Sequence, residues 1–501
     1  MSGKSILVIG AGFGGLSAAA YLAKEGYEVT VVEKNGWPGG RAQAVEQDGY
    51  RFDMGPSWYW MPEEHDRWFR DLGYDRSKLY GLSRVDPSYT VFYGDPSVPG
   101  ERRRLDVPAN VDGAAEVFEQ VEGGAGAQLR AFLDQSKAKY DLAMNNFIYK
   151  NFYTLFDFVN WTTIRNLGTL NILKNYRSMI RRYISHPDLQ KILEFPVVFL
   201  GSSARNTPAM YTLMNHIDFN LGTWYPDGGF SGVADAMRTV CADLGVKFVF
   251  NCEVTGLVTD NGRVTRVQVR DGCDTDELAP DVVVANADYP HVELELLPES
   301  ARSIPARRWD RAALAPAVVN YYIGLNRKLD GLAHHTFFFD ADWDEHFSAV
   351  YEKPRWIDDP LFYIHIPSKT DPDVAPEGGE ALFILVPAAP GLEASELLRK
   401  RYFDNVMDRM EAHTGMSIRD SVVVYRDYSL EEFRRDYNAY KGNAFGLGQT
   451  LFQTAYFRPS NKSRKLSNLY YAGQFTVPGT GTTMSTISGR VVTDRIKKEH
   501  G

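Results

Sequence analysis

A glycine loop caught between a strand and a helix constrains this chain more than any other feature. Ser5 to Ile9 (SILVI) is an apolar run of strand length. Gly10, Gly12 and Gly15 follow as GxGxxG, with Gly14 inside the motif, and Leu16 to Glu25 is rich in Ala and Leu with a helical pattern. Glu28 to Glu33 (EVTVVE) then reads as a second buried strand. This order predicts a βαβ unit with a parallel sheet and helices on its faces. The glycines allow a tight turn and a close approach of backbone to a pyrophosphate, while the helix start offers free N–H groups and the positive end of its dipole. Glu33 closes the second strand, where a carboxylate accepts hydrogen bonds from a ribose and repels a 2′-phosphate. The pattern predicts a dinucleotide site that suits NAD or FAD.

At 501 residues the chain exceeds one hydrophobic core, so two or more lobes are expected. Further pieces of nucleotide-binding type recur far along it. Ala234 to Leu244 is helical in pattern, Lys247 to Glu253 reads as a strand, and Gly256 to Val269 as a hairpin turning at Asp260 to Gly262. Asp281 to Ala285 reads as a buried strand and Ser485 to Lys498 as a closing helix.

Composition excludes several classes. There are 55 Lys and Arg against 64 Asp and Glu, a net charge of −9 that poorly suits nucleic acid. Cys241, Cys252 and Cys273 form no CxxC pair, and their odd count predicts unpaired thiols in a reducing, cytoplasmic setting. No apolar stretch reaches the about 20 residues that span a bilayer, so membrane contact is expected to be peripheral. No HExxH, Ser–His–Asp pattern or paired-carboxylate motif is present, and no metal is expected.

Longer motifs narrow the reading. Lys34 to Ala42 is KNGWPGGRA, a glycine pair followed by Arg soon after the acidic strand end. Tyr50 to Pro56 is YRFDMGP, Gly222 to Gly229 is GTWYPDGG, and Leu332 to Thr336 is LAHHT. Asn438 to Phe457 is NAYKGNAFGLGQTLFQTAYF, followed by Arg458 and Pro459, and Asn468 to Arg490 is NLYYAGQFTVPGTGTTMSTISGR. Almost end to end, these stretches resemble the bacterial phytoene-type carotenoid desaturases of the flavin amine-oxidase-like superfamily.

That resemblance implies FAD, held by Gly10, Gly12, Gly14, Gly15, Glu33, Lys34, Gly40, Arg41 and Val254. It places Gly473 and Gln474 along the ribityl chain and Thr483 and Met484 near the isoalloxazine. It implies desaturation of an acyclic polyene such as phytoene or a related carotene. Hydride would pass to the flavin, and an acceptor such as oxygen or quinone would follow. Thr482 and Thr483 depart from the family pattern, which often shows a small apolar residue followed by proline. An amine oxidase, or a non-catalytic prenyl-lipid carrier of the Rab-escort type, would share the fold.

The expected architecture is α/β and α+β: a Rossmann-like FAD-binding domain with a β-sheet substrate domain and a helical membrane-facing lobe. The FAD-binding domain is expected from 1–88, 225–300 and 465–501, the substrate domain from 89–124 and 301–464, and the lobe from 125–224. Asp141 to Tyr183 holds nine aromatics, with six basic residues against two acids, a local +4 that suits an anionic membrane surface. Equally, such a stretch forms a helical cap with core aromatics and a solvated basic face. His334 and His335 are the most visible titratable pair. They are candidates for a catalytic base, with a purely structural role beside it.

Overall fold

The computed structural model describes residues 3–500 apart from 152, 154–164, 166, 172–173, 271 and 275. Five parallel strands, Leu469–Tyr471, Val282–Ala285, Ser5–Ile9, Glu28–Val32 and Lys247–Val249, lie side by side in that order. Ser5–Ile9 is central, and its Ile6, Leu7, Val8 and Ile9 are all buried, as a strand covered on both faces requires. The helix Phe13–Lys24 starts directly after the glycine loop and packs against Gly229–Asp243 and Thr482–His500. A Cβ on Gly489 would lie 2.5 Å from Ala18 N, so the last of these helices crosses at backbone contact. That crossing brings the Thr482 end to the sheet edge where the glycine loop sits.

The hairpin expected at 256–269 is longer, pairing Glu253–Asp260 with Arg263–Arg270 around Asn261 and Gly262. Both turn residues have positive φ (47° and 72°), as the tightest hairpin turns require. This hairpin corrects the cysteine reading. Glu253 pairs with Arg270, so the flanking Cys252 and Cys273 face each other and form a disulfide with a Cα–Cα distance of 5.4 Å. Only Cys241 is free, and it is buried.

A second sheet of seven strands runs Val422–Tyr428, Ala317–Leu325, Glu380–Ala388, Phe362–His365, His335–Phe339, Tyr89–Tyr93 and Arg103–Val107. All its pairs are antiparallel except His335–Phe339 with Tyr89–Tyr93. One face buries Ile323, Leu382 and Phe338 against the helix Glu396–Thr414. The other presents Phe337, Phe339, Tyr363 and Phe383 to a separate core, following the alternation of a strand.

The helices Val111–Val121, Ala125–Ala143 and Pro187–Glu194 close over that second face. Here the basic stretch divides. Tyr176 and Arg177 are buried, and Arg177 bonds Glu194 at 2.8 Å and Asp344 at 2.6 Å. Arg177 is therefore a core ion pair and not part of a solvated basic face. Lys150, Arg165, Lys174, Arg181 and Arg182 are exposed. Phe152, Phe156, Phe158 and Trp161 lie outside the described residues. Among the described residues, no helix is long and apolar enough to cross a membrane.

Candidate active site

One cavity of about 490 Å³ runs from the glycine loop into the space between the seven-stranded sheet and the helices. Its polar end is built at the parallel sheet's edge. Gly10 takes φ +97°, and its N–H donates to Val32 O at 2.8 Å. A Cβ on Gly15 would collide with the Gly10 carbonyl, so this glycine serves helix–loop packing and stays out of the cavity wall. The helix Phe13–Lys24 has Gly12 as its N-cap, no side-chain cap and no acid in its first turn, leaving its N–H groups to a phosphate. The second glycine loop packs on the first, with Gly39 N–H donating to Ala11 O at 2.8 Å.

Gly10, Gly12, Gly14, Glu33, Lys34, Gly40, Arg41, Val254, Gly473, Gln474, Thr483 and Met484 all line this cavity. Their local bonds are specific. Glu33 accepts the N–H groups of Ala11 (2.7 Å) and Asn35 (2.9 Å), and burial raises its pKa. Lys34 donates to Arg435 O at 2.7 Å and to Asn438 Oδ1 at 2.9 Å, which ties it to the 435–438 segment. Arg41 lies 3.6 Å from Asp288, and burial pushes that carboxyl up to about 6. Arg41 Nε, both Asp288 oxygens and Gln474 Nε2 are buried without hydrogen-bond partners, so the polar end of the cavity is built for a polar ligand.

The departure at Thr483 has a physical account. Its hydroxyl meets His65 Nε2 at 3.1 Å and donates to Trp60 O at 3.2 Å. Burial lowers the His65 pKa to about 3, so the ring is neutral. The threonine thus ties the start of the last helix to the Ser57–Trp60 segment, a contact open to neither proline nor a small apolar side chain. Arg458, wholly buried, donates to the carbonyls of Gln474 (2.6 Å) and Thr476 (3.0 Å) and holds the opposite loop.

The other branch is apolar. Trp58, Trp60, Phe195, Phe199, Phe337 and Phe339 stand in its wall. His334 and His335 do not line the cavity. His335 lies behind Trp58, the two rings stacked at 4.1 Å, and its Nδ1 meets the Tyr363 hydroxyl at 2.6 Å. That hydroxyl, 3.0 Å from Ser57 Oγ, belongs to a residue that does line the wall. His334 meets Thr370 Oγ1 at 2.7 Å and His365 Nε2 at 3.0 Å. One nitrogen of each of these three imidazoles lies within 4.8 Å of the others. Yet His335 and His365 are nearly parallel (19°), and bonds already occupy both nitrogens of His334. Burial holds all three rings neutral, His334 at about 3. Sequence reasoning missed Ser57, Trp58, Asp288, Tyr363 and His346 in the wall; for Ser57 and Trp58 the signal was their position directly after YRFDMGP.

Known proteins match this geometry. The model of the family described as flavin containing amine oxidoreductase matches residues 13–497. The carotenoid 3,4-desaturase of Haloarcula japonica is 41% identical over 491 residues, 98% of this chain and 97% of that protein. The chain belongs to the flavin containing amine oxidoreductase family, in its carotenoid-desaturase branch. The zeta-carotene-forming phytoene desaturase of Myxococcus xanthus, 31% identical, matches 99% of this chain and 94% of its own length. An oxidoreductase structure from Methanosarcina mazei, 16% identical, covers 98% of this chain and 100% of its own with a TM-score of 0.64, which speaks for the fold. As a member of this family the protein is a flavin-dependent oxidoreductase with FAD as cofactor. The glycine cradle, the uncapped helix start, the Arg41–Asp288 pair and the buried Arg41 Nε and Gln474 Nε2 without hydrogen-bond partners fit that cofactor.

Proposed function

We propose that this enzyme desaturates an acyclic carotenoid polyene, and that its site of action is the 3,4-bond, after the 41% identical relative. The observation that carries the reading is the single cavity that joins the dinucleotide cradle to an aromatic apolar branch. Bound FAD supplies the hydride acceptor. The chain's residues do the rest. Gly10, Gly12 and the start of the helix Phe13–Lys24 hold the pyrophosphate, Arg41 balances its charge, and Gly473 with Gln474 holds the ribityl stretch. Trp58, Phe195, Phe199 and Phe337 exclude water and hold the polyene. Their ring faces also stabilise positive charge as hydride leaves. The proton on the neighbouring carbon is then strongly acidic and needs little help to depart. An amine oxidase needs a small polar pocket beside the flavin, and a lipid carrier needs no intact phosphate cradle. Neither reading fits this cavity. A quinone or oxygen is the expected electron acceptor.

Anaerobic mixing of the FAD-loaded enzyme with an acyclic carotene in liposomes tests the reading. Bleaching of the visible absorbance of the oxidised flavin should accompany a product two hydrogens lighter. Bleaching by amines and not by polyenes would overturn it.

A polyene must be drawn from a membrane, and we place the docking surface on the 125–224 lobe. Support comes from exposed Lys150, Arg165, Lys174, Arg181 and Arg182 within a net acidic chain. Each cation near an anionic surface contributes about 1 kcal/mol. Arg181→Glu with Arg182→Glu should therefore lower co-sedimentation with anionic liposomes at low salt by more than about tenfold. Unchanged co-sedimentation would remove the lobe from the docking surface.

A further inference from the structure

Desaturation frees a proton in an apolar space, and few described wall atoms can receive it. The carboxylates in the wall stand at the cofactor end, where Glu253 pairs with Lys34 and Asp288 with Arg41. Along the apolar branch the ionisable side chains are Tyr140, Tyr211, His346 and Tyr363. His346 accepts the Leu361 N–H at Nδ1, so its hydrogen sits on Nε2 and no lone pair remains. Tyr211 OH bonds only Gln449 and Thr454, neither of them a base. Tyr140 OH donates to Glu63 at 2.6 Å, but Glu63 is partly exposed, and a base open to solvent admits the water this site excludes.

Tyr363 is different. Its hydroxyl meets Ser57 Oγ at 3.0 Å and His335 Nδ1 at 2.6 Å, and all three residues are buried. Gly55 packs on the Arg41 carbonyl and Trp60 O accepts from Thr483, so the segment that carries Ser57 runs along the cofactor end. Behind His335 stand His365 and His334, with one nitrogen of each ring within 4.8 Å of the others. His334 reaches Thr370 Oγ1 at 2.7 Å, and Thr370 is partly exposed. Three buried imidazoles are costly to pack where apolar side chains would do. Here they lead from a wall hydroxyl to the surface.

We propose that Tyr363 is a catalytic residue that takes the substrate proton, and that His335 is the positioning residue behind it that takes the tyrosine's own. One hydrogen leaves its carbon with both bonding electrons, as hydride to the bound cofactor. The neighbouring C–H bond breaks, its electron pair becomes the second bond of the new alkene, and its proton goes to the Tyr363 oxygen. In the same step the Tyr363 O–H proton passes to His335 Nδ1. The imidazolium so formed loses one proton to the rings behind it, and Thr370 is its exit to water. Burial holds the resting ring neutral, which keeps Nδ1 open and makes the imidazolium short-lived. A proton beside an allylic cation is acidic enough for so weak a base. The inference rests on the desaturase reading for the reaction that frees the proton.

Two measurements test it. The first needs neither FAD nor substrate: NMR of the FAD-free protein with isotopically labelled histidine nitrogens, His335 being assigned by its loss in His335→Gln. His335 should carry its hydrogen on Nε2, and Tyr363→Phe should shift its Nδ1 signal. A hydrogen on Nδ1 would overturn the proposal, because that atom could not accept. The second is single-turnover product formation from an acyclic carotene, in water and in heavy water. Wild type should show a solvent isotope effect. Tyr363→Phe should keep its FAD and its polyene affinity, lose the isotope effect and slow by at least about tenfold, toward the lower end of a general base's contribution. His335→Gln, which accepts the tyrosine's hydrogen bond but cannot take its proton, should do the same. A Tyr363→Phe rate within about threefold of wild type would overturn the proposal and leave the desaturase reading standing. So would an isotope effect that survives in Tyr363→Phe and vanishes in Tyr140→Phe. Wild type that dehydrogenates no polyene would remove both.

Discussion

Gly12→Val should yield a protein that folds, purifies colourless and fails to recover flavin when FAD is added back, with affinity lower by at least about a hundredfold. Gly12 is the N-cap of Phe13–Lys24, and its carbonyl accepts the Leu16 N–H at 2.9 Å. A Cβ there would lie 2.8 Å from Asn286 Nδ2, and the methyls of valine would extend into the space a pyrophosphate needs. The same residue bridges to Gly39 of the second glycine loop, so a displaced Gly12 also shifts Gly40 and Arg41. The β-region φ of −71° at Gly12 suits valine, so the backbone itself does not forbid the change. The loss should therefore appear in flavin content and not in far-UV circular dichroism. Retention of stoichiometric flavin would show that the pyrophosphate lies elsewhere.

That prediction could be written from sequence because its determinants are local. The glycine loop, the strands beside it and Glu33 fall within 29 residues, Ser5 to Glu33, and each one's role follows from spacing. What could not be read depends on register and on distant partners. Cys252 meets Cys273 only because Glu253 pairs with Arg270, a hairpin register that a cysteine count does not contain. Arg177 looked like one cation in a basic stretch. Its partners Glu194 and Asp344 lie 17 and 167 positions away, and they turn it inward. His334 and His335 are adjacent in sequence and prominent for that reason, yet both stand outside the cavity wall. The histidines that do stand there, His291 and His346, sit in helices that no motif marks. The apolar wall was foreseeable in kind but not in membership. Alternation along His335–Phe339 sends Phe337 and Phe339 to the cavity and Phe338 to the opposite core, and only pairing with neighbouring strands decides which face is which.

Asp218→Asn should stabilise the protein at pH 8 more than at pH 5, by a difference of about 2–3 kcal/mol. Asp218 is 2% exposed and follows Ile217, a cavity-wall residue. Tyr89 OH donates to its Oδ2 at 3.0 Å, but Oδ1 has no partner. Burial pushes this carboxyl up to about 7 from an ordinary value of 3.8, the Tyr89 bond opposing only in part. The folded state thus binds the proton more tightly than the unfolded chain does. Between about pH 4 and pH 7 the folded state holds more protons, so stability falls as pH rises through that window. Below it the group's favourable contribution is complete; above it that contribution is lost, and a buried, singly bonded carboxylate remains. Asparagine keeps the acceptor for Tyr89 and carries no charge at any of these pH values. Its amide also introduces donors that the site does not satisfy, but that cost is the same at both pH values and cancels from the difference. Denaturant midpoints of the FAD-free wild type and variant at pH 5 and pH 8 measure it directly. Parallel pH profiles for the two proteins would mean that Asp218 stays ionised throughout, paired with a group other than Tyr89.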